Sequence, residues 1–278
     1  MLRRRRPGST QQCPRVRNVG NRSISTSLSL RNVQTIGGKG DLGDPAPRQV
    51  MVVGAHPDDI DFGVAGTVAR LVLVGADVVY CIVTDGDAGV GPAGASREHV
   101  VELRRSEQLA AARAVGVVDV RFLGLPDGRL EPTLGLRSAI TRAIREVRPD
   151  LAILPGHEWR WDRFFANHPD HHAVGLAGLY AIYPDARNAH AHPELLADGL
   201  EPHVVEQVWV WGHRAPNHFV DITDTMDRKL DALRAHDSQV SGFDDLDGLV
   251  RRWAEAAAVD GGLPTSRLAE SFLMRRTG

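Results

Sequence analysis

The chain has 278 residues, 42% hydrophobic and 24% charged, enough to bury a core without disulfide or metal staples. Two cysteines, Cys13 and Cys81, exclude a disulfide scaffold or a Cys-rich zinc module, and no apolar run approaches the roughly 18 residues of a membrane-spanning helix. The net charge of −2 divides into +9 over residues 1–40 and −11 over the remainder, so the bulk of the chain is acidic and a poor partner for nucleic acid or an anionic membrane.

Residues 1–48 read as a tail rich in Arg, Ser, Gly and Asn, with no sustained apolar period. The arginines at positions 3–6 are followed by no apolar stretch, which argues against a secretory signal. A disordered extension or a start assigned too early is the leading reading. An organelle-targeting peptide and a nucleic-acid arm are the others. Residues 49–55 (QVMVVGA) then form a fully apolar strand. Helical spacing follows over 62–75, a second buried strand over 77–84 (DVVYCIVT), and a helix over 98–115 that stops at Gly116. A strand over 118–123, a helix over 134–147 and a strand over 150–154 complete a strict alternation. Continuous apolar strands in that order predict an α/β fold, a Rossmann-like parallel sheet with helices on both faces. Beyond Pro155 come a loop carrying Trp159 and Trp161, a helix from about 169 to 183, and strands over 204–211 and 218–222. The C-terminal strand/helix extension ends in helical segments near 224–236, 245–258 and 264–275. Residues 49–278 are expected to be a single domain.

In an open α/β sheet, ligands bind beyond the carboxyl ends of the strands. The first strand is followed by Ala55-His56-Pro57-Asp58-Asp59, which crowds an imidazole and two carboxylates into one strand-to-helix turn. Burying such groups is costly unless they pair or bind a metal. The loop after the fourth strand leads to Asn167-His168-Pro169-Asp170-His171-His172, in which His168 and His171 share one helical face. A catalytic zinc needs three protein ligands and an open position. His56, one of Asp58 and Asp59, and one of His168 and His171 supply them. His172 points elsewhere, and Trp209 and Trp211, two apart on a strand, face one side.

The stretch AHPDDIDFGVAG over residues 55–66 resembles the zinc-binding signature of the PIG-L/LmbE-type N-acetylglucosaminyl deacetylases, and HPDH over 168–171 resembles their second metal motif. Residues 84–89, 104–107 (RRSE), 123–128 (LGLPDG) and 229–239 (KLDALRAHDSQ) are also similar, in the right order, so the resemblance spans residues 49 to about 240. Ile60 departs from it where many members have Glu. The resemblance implies metal ligands at His56, Asp59 and His171 and a general base at Asp58. It further implies an intermediate-stabilising imidazole at His168 with Asp170 as its orienting partner, and substrate contacts at Asp87, Arg104 and Asp127.

The expected reaction is metal-dependent hydrolysis of an N-acyl amide, N-acetyl on a small glucosamine-containing molecule. Zn²⁺ is the expected ion, with Fe²⁺ also suited to His₂Asp. Asp58 accepts the water's proton, His168 acts as a charged donor to the oxyanion, and either returns a proton to the leaving amine. The alternative is an amidase cleaving a larger thiol-conjugate or glycopeptide amide at the same metal site. Gly89, Gly91 and Gly94 match G-x-G-x-x-G but follow the second strand, where the dinucleotide fingerprint does not belong, and read as a mobile substrate loop. No G-x-S-x-G is present. The protein is expected in the cytoplasm, with no nucleic-acid or membrane partner, and with self-association left open.

Overall fold

The computed structural model describes Leu42 and residues 45–278, apart from residues 90, 92 and 93. The tail expected over residues 1–48 lies almost wholly outside the described residues, as does part of the glycine loop. Leu42, inside that stretch, is only 2% exposed and packs into the core.

The elements in chain order are β1 (Gln49–Gly54), α1 (Asp59–Leu73), β2 (Asp77–Thr84), α2 (Arg97–Ala114), β3 (Asp119–Leu125), α3 (Leu134–Val147), β4 (Leu151–Pro155) and α4 (Pro169–Tyr180). There follow α5 (Pro193–Ala197), β5 (Gln207–Trp211), β6 (His218–Asp221), α6 (Met226–Arg234), α7 (Asp237–Val240), α8 (Leu246–Asp260) and β7 (Ala269–Arg276). The strands form one sheet in the order β3-β2-β1-β4-β5-β7-β6. The first five are parallel, and β7 runs antiparallel between β5 and β6.

Successive side chains of a strand point to opposite faces, so a strand covered on both sides must be apolar throughout. In β1, Val50 and Val52 enter the core beneath α1, α2, α6 and α8, whereas Met51 and Val53 enter the core beneath α3 and α4. Side chains satisfy the helix starts: Ser96 accepts from the His99 amide, Thr133 from Leu136 and Asp245 from Gly248. The chain leaves β1 for α1 on one face and the neighbouring β4 for α4 on the other. The crevice of the parallel sheet therefore opens between the carboxyl ends of β1 and β4.

One element differs from expectation. The segment expected as a helix over 264–275 contains strand β7 instead. Phe272 is fully buried opposite Trp211 and His218, and the strand supplies hydrogen-bonding partners to both β5 and β6. Pairing on two sides outweighs the helical character of a short stretch. The helix expected to 183 ends at Tyr180 and passes into a wide turn over Ala181–Asp185.

That turn is tied to α3 by Asp185, whose carboxylate accepts Arg137 Nε at 3.0 Å and Nη2 at 2.7 Å and lies 3.0 Å from His192 Nε2. Burial opposes its charge, but Arg137 and His192 together hold its carboxyl below the ordinary 3.8. Asp185→Asn should lower unfolding stability by about 2 kcal/mol near neutral pH, the usual scale for hydrogen bonds to a charged group. Because the folded-state pKa is depressed, that contribution is present above the ordinary pKa and lost as pH falls through the folded value. Denaturant melts at pH 7 and pH 3 check this, and the gap between wild type and variant should narrow at the lower pH.

Candidate metal centre

The His-Pro-Asp-Asp turn is built under strain. Asp58, the N-cap of α1, has φ 100°, a left-handed conformation that costs a non-glycine residue on the order of 1–3 kcal/mol. Two residues one turn apart on α2 hold it there. Gln108 Oε1 accepts the Asp58 amide at 2.9 Å, and Arg104 Nη2 donates to the Pro57 carbonyl at 2.5 Å and to Asp58 Oδ2 at 3.2 Å. Arg104 is 3% exposed and also donates to the Gly86 carbonyl. A Cβ at Gly89 would stand 2.3 Å from its guanidinium, so Gly86 and Gly89 let the loop after β2 close over this arginine.

Three groups then converge at the crevice. His171 Nε2 lies 3.3 Å from His56 Nδ1 and 2.9 Å from Asp59 Oδ1, while Asp59 Oδ2 lies 3.3 Å from His56 Nδ1. Tetrahedral coordination with bonds of about 2.0–2.1 Å places ligand atoms roughly 3.3 Å apart, so these donors are spaced to share one ion. The far nitrogen of His56, Nε2, faces Asp127 Oδ1 at 3.1 Å and Asp170 Oδ2 at 3.2 Å. An ionised carboxylate only accepts, so Nε2 carries hydrogen and Nδ1 is left to bind metal. Asp170 is itself fixed by the Gly128 and Leu130 amides at 2.7 and 3.0 Å.

The electrostatics point the same way. Burial disfavours a charged His56, yet the hydrogen bonds it donates to Asp127, Asp170 and Asp59 push its pKa up to about 12. Burial likewise opposes ionisation of Asp59, but His171 and His56 hold its carboxyl well below the ordinary range, and Asp59 in turn raises His171. The crevice is a buried excess of carboxylate that demands positive charge. Asp58 is pushed up to about 6, first by burial and then by the charge of Asp59, against Arg104, His236 and His56.

The sequence-selected residues are thus brought together, in arrangements that differ in detail from expectation. The carboxylate of Asp170 faces His56. Towards His168 it offers only its backbone amide, which donates to Nδ1 at 3.3 Å. This leaves the His168 proton on Nε2. Burial, and then the charges of His56 and His171, lower the pKa of His168 below its ordinary 6.5. Its ring stands edge-on to His56, with centroids 4.6 Å apart. His168 also joins His56 and His171 in a set of donor atoms within 4.8 Å of one another, as do Asp127 and Asp170 with His56. Asp127 is buried against His56, and Asp87 accepts the Asp127 amide at 2.8 Å while pairing with Arg97. His172 turns away to the His157 carbonyl and stacks under Trp159.

Gln108, Asp61 and His236 were assigned no role from the sequence. The signal available was the i, i+4 spacing of Gln108 from Arg104 on one face of α2. Asp61 and His236 are both fully buried, and Asp61 Oδ2 accepts from Gln108 Nε2 and His236 Nε2, each at 2.8 Å.

The sequence matches the family described as PIG-L: GlcNAc-PI de-N-acetylase over residues 51–182. It is 33% identical over 192 residues to the diacetylchitobiose deacetylase of Thermococcus kodakarensis, covering 69% of this chain and 70% of that one. It is 31% identical over 202 residues to the "Probable N-acetyl-alpha-D-glucosaminyl L-malate deacetylase 2" of Bacillus anthracis, covering 69% and 81%. The crystal structure of N,N′-diacetylchitobiose deacetylase from Pyrococcus horikoshii superposes with a TM-score of 0.75 at 28% identity, covering 82% of this chain and 84% of that one.

Asp127→Asn should leave the fold intact but weaken divalent-metal binding about 10- to 100-fold, the usual effect of losing a carboxylate that orients a ligating histidine. Competition for Zn²⁺ against a chromogenic chelator measures this. Unchanged affinity would show that Asp127 does not orient His56.

Proposed function

The chain belongs to the PIG-L family of de-N-acetylases, and from that premise we propose that it hydrolyses the N-acetyl group of a small glucosamine-containing molecule at a zinc ion held by His56, Asp59 and His171. The observation that carries this reading is the convergence of His56 Nδ1, Asp59 and His171 Nε2 within 3.3 Å of one another, with Asp58 next in the chain. The donor set, two imidazoles and a carboxylate, suits Zn²⁺ and would also hold Fe²⁺. Bound there, the ion would supply Lewis acidity and lower the pKa of water towards about 7.

The chain's own groups supply the proton handling. Asp58, next in the chain to Asp59, takes a proton from the attacking water. His168, whose Nδ1 accepts the Asp170 amide, donates a hydrogen bond from Nε2 to the oxygen on which negative charge develops. Asp58, now protonated, returns its proton to the leaving nitrogen. Asp170 and Asp127 keep His56 oriented throughout. Glucosamine as the carrier is supported by the family description, GlcNAc-PI de-N-acetylase, and by a relative named for N-acetyl-alpha-D-glucosaminyl L-malate.

Among the described residues no helix is long and apolar enough to cross a membrane. Cytoplasmic residence is part of the proposal, and the free, buried thiol of Cys81 accords with a reducing compartment.

Primary-amine release from N,N′-diacetylchitobiose and N-acetylglucosaminides tests the reading. Wild type should release amine in a chelator-sensitive way. Asp58→Asn should reduce kcat by about 10²–10⁴-fold, and His168→Ala by about 10²–10³-fold, with Zn²⁺ retained in both. Release only from substrates with bulky acyl groups would turn the proposal towards the larger amidase, and absence of bound metal in wild type would overturn it.

A further inference from the structure

The strained base is served by a hydrogen-bond chain that begins on the far side of α2. At its outer end stands His236, between α6 and α7, fully buried, with Nε2 2.8 Å from Asp61 Oδ2. The same oxygen accepts Gln108 Nε2 at 2.8 Å, and Gln108 Oε1 accepts the Asp58 amide at 2.9 Å. The direction of each link follows from chemistry. The Asp58 backbone N–H can only donate, so the Gln108 atom facing it must be the carbonyl oxygen. The Gln108 amide is therefore turned with its NH₂ towards Asp61 and its carbonyl towards Asp58. Reversed, it would set a carbonyl against a carboxylate and an NH₂ against an N–H.

We propose that Gln108 is a positioning residue that holds Asp58 in its left-handed conformation, and that Asp61 and His236 act by fixing the direction of the Gln108 amide. The proposal rests on the assignment of Asp58 as the general base. Its physical content is that φ 100° at a non-glycine residue persists only when neighbouring structure over-determines it. The Asp58 amide has this single buried acceptor, and the nearby Arg104 contacts engage the Pro57 carbonyl and the Asp58 carboxylate instead. With Gln108 replaced by an apolar residue, this peptide is still held at the Pro57 carbonyl by Arg104 but no longer at its N–H, and the carboxylate shifts from its working position.

The test combines kinetics with a readout independent of activity. Gln108→Leu should lower kcat about 10- to 100-fold, the scale of an ångström's misplacement of a reacting group. KM should stay within about threefold of wild type and Zn²⁺ content should be unchanged. Hydrogen exchange in the peptide covering residues 54–62 should quicken in the same variant. Asp61→Asn keeps an oxygen that accepts both donors and should retain kcat within about threefold, whereas Asp61→Leu should behave like Gln108→Leu. Gln108→Met, of closely similar volume, carries the test if the leucine variant does not fold. Exchange unchanged in a folded Gln108 variant overturns the proposal, as does a parallel loss of kcat, metal content and thermal stability, which is the mark of a merely structural role. A wild type inactive on every N-acetylglucosaminide, but with exchange at 54–62 quickened in the variant, would defeat the functional reading while leaving the positioning role standing.

Discussion

Three carboxylates around one imidazole set the terms for the rest of this fold. Asp59 approaches His56 on its Nδ1 side, and Asp127 and Asp170 approach on its Nε2 side, all within 3.3 Å. Buried negative charge of this density is untenable without compensation. Part comes from backbone amides, since the loop after β3 turns so that Gly128 and Leu130 both donate to Asp170. The rest must be positive charge held at the crevice, either protons on His56 and His171 or an ion between them. The parallel sheet makes this possible because neighbouring strands β1 and β4 send their chains to opposite faces. Ligands from sequence positions 115 residues apart can then meet with short side chains.

Around that charge the two faces of the sheet have different duties. On the α3 and α4 side, α4 presents His168 and His171 from its first turn, with Pro169 at the first helical position, and the apolar core there also encloses Arg145 and Asp185. On the α1 and α2 side, polar side chains pass through the core: Arg104 and Gln108 reach the Asp58 turn, and Glu107 accepts from the Ser238 amide and hydroxyl. Gln108 and Glu107 are paired through both side-chain polar atoms, which is the condition under which a polar network adds rigidity. Arg104, expected at the substrate, lies under the loop after β2, where its guanidinium donates to two carbonyls and to Asp58 and stands 3.7 Å from Asp127 Oδ2.

The alternation of strands and helices was legible because strands buried on both faces are apolar throughout, and the crevice residues were legible because both His-Pro-Asp clusters stand at strand ends of the same sheet. What was not legible depended on partners distant in sequence. The side chain of Asp170 turns to His56, 114 residues away, and no local spacing marks that choice over the adjacent His168. The lowered pKa of His168 likewise follows from burial and from two other histidines brought near by the fold. Strand β7 was read as helix because nothing local declares that β5 and β6 lack a partner between them.

That misread strand bears on α1 in a way that local propensity does not reveal. β7 carries Glu270 to the middle of α1, where its carboxylate accepts the amides of Gly66 and Thr67 at 3.1 and 2.7 Å. Lys229 on α6 completes the arrangement, donating to Glu270 at 2.6 Å and to the Phe62 carbonyl at 2.7 Å. An ion pair thus serves helix groups that the ladder would otherwise join to one another. The whole chain has only two lysines among 33 basic residues, and this is one of them. The position asks for a compact ammonium whose donors diverge, one to a carbonyl and one to a carboxylate, in a site only 3% exposed. A planar guanidinium fork is shaped for the opposite task, two parallel bonds to one partner. In a chain that otherwise uses arginine almost everywhere, lysine here is a matter of shape. It fastens α1, whose first turn carries Asp59, to the sheet through the strand that local pattern hides.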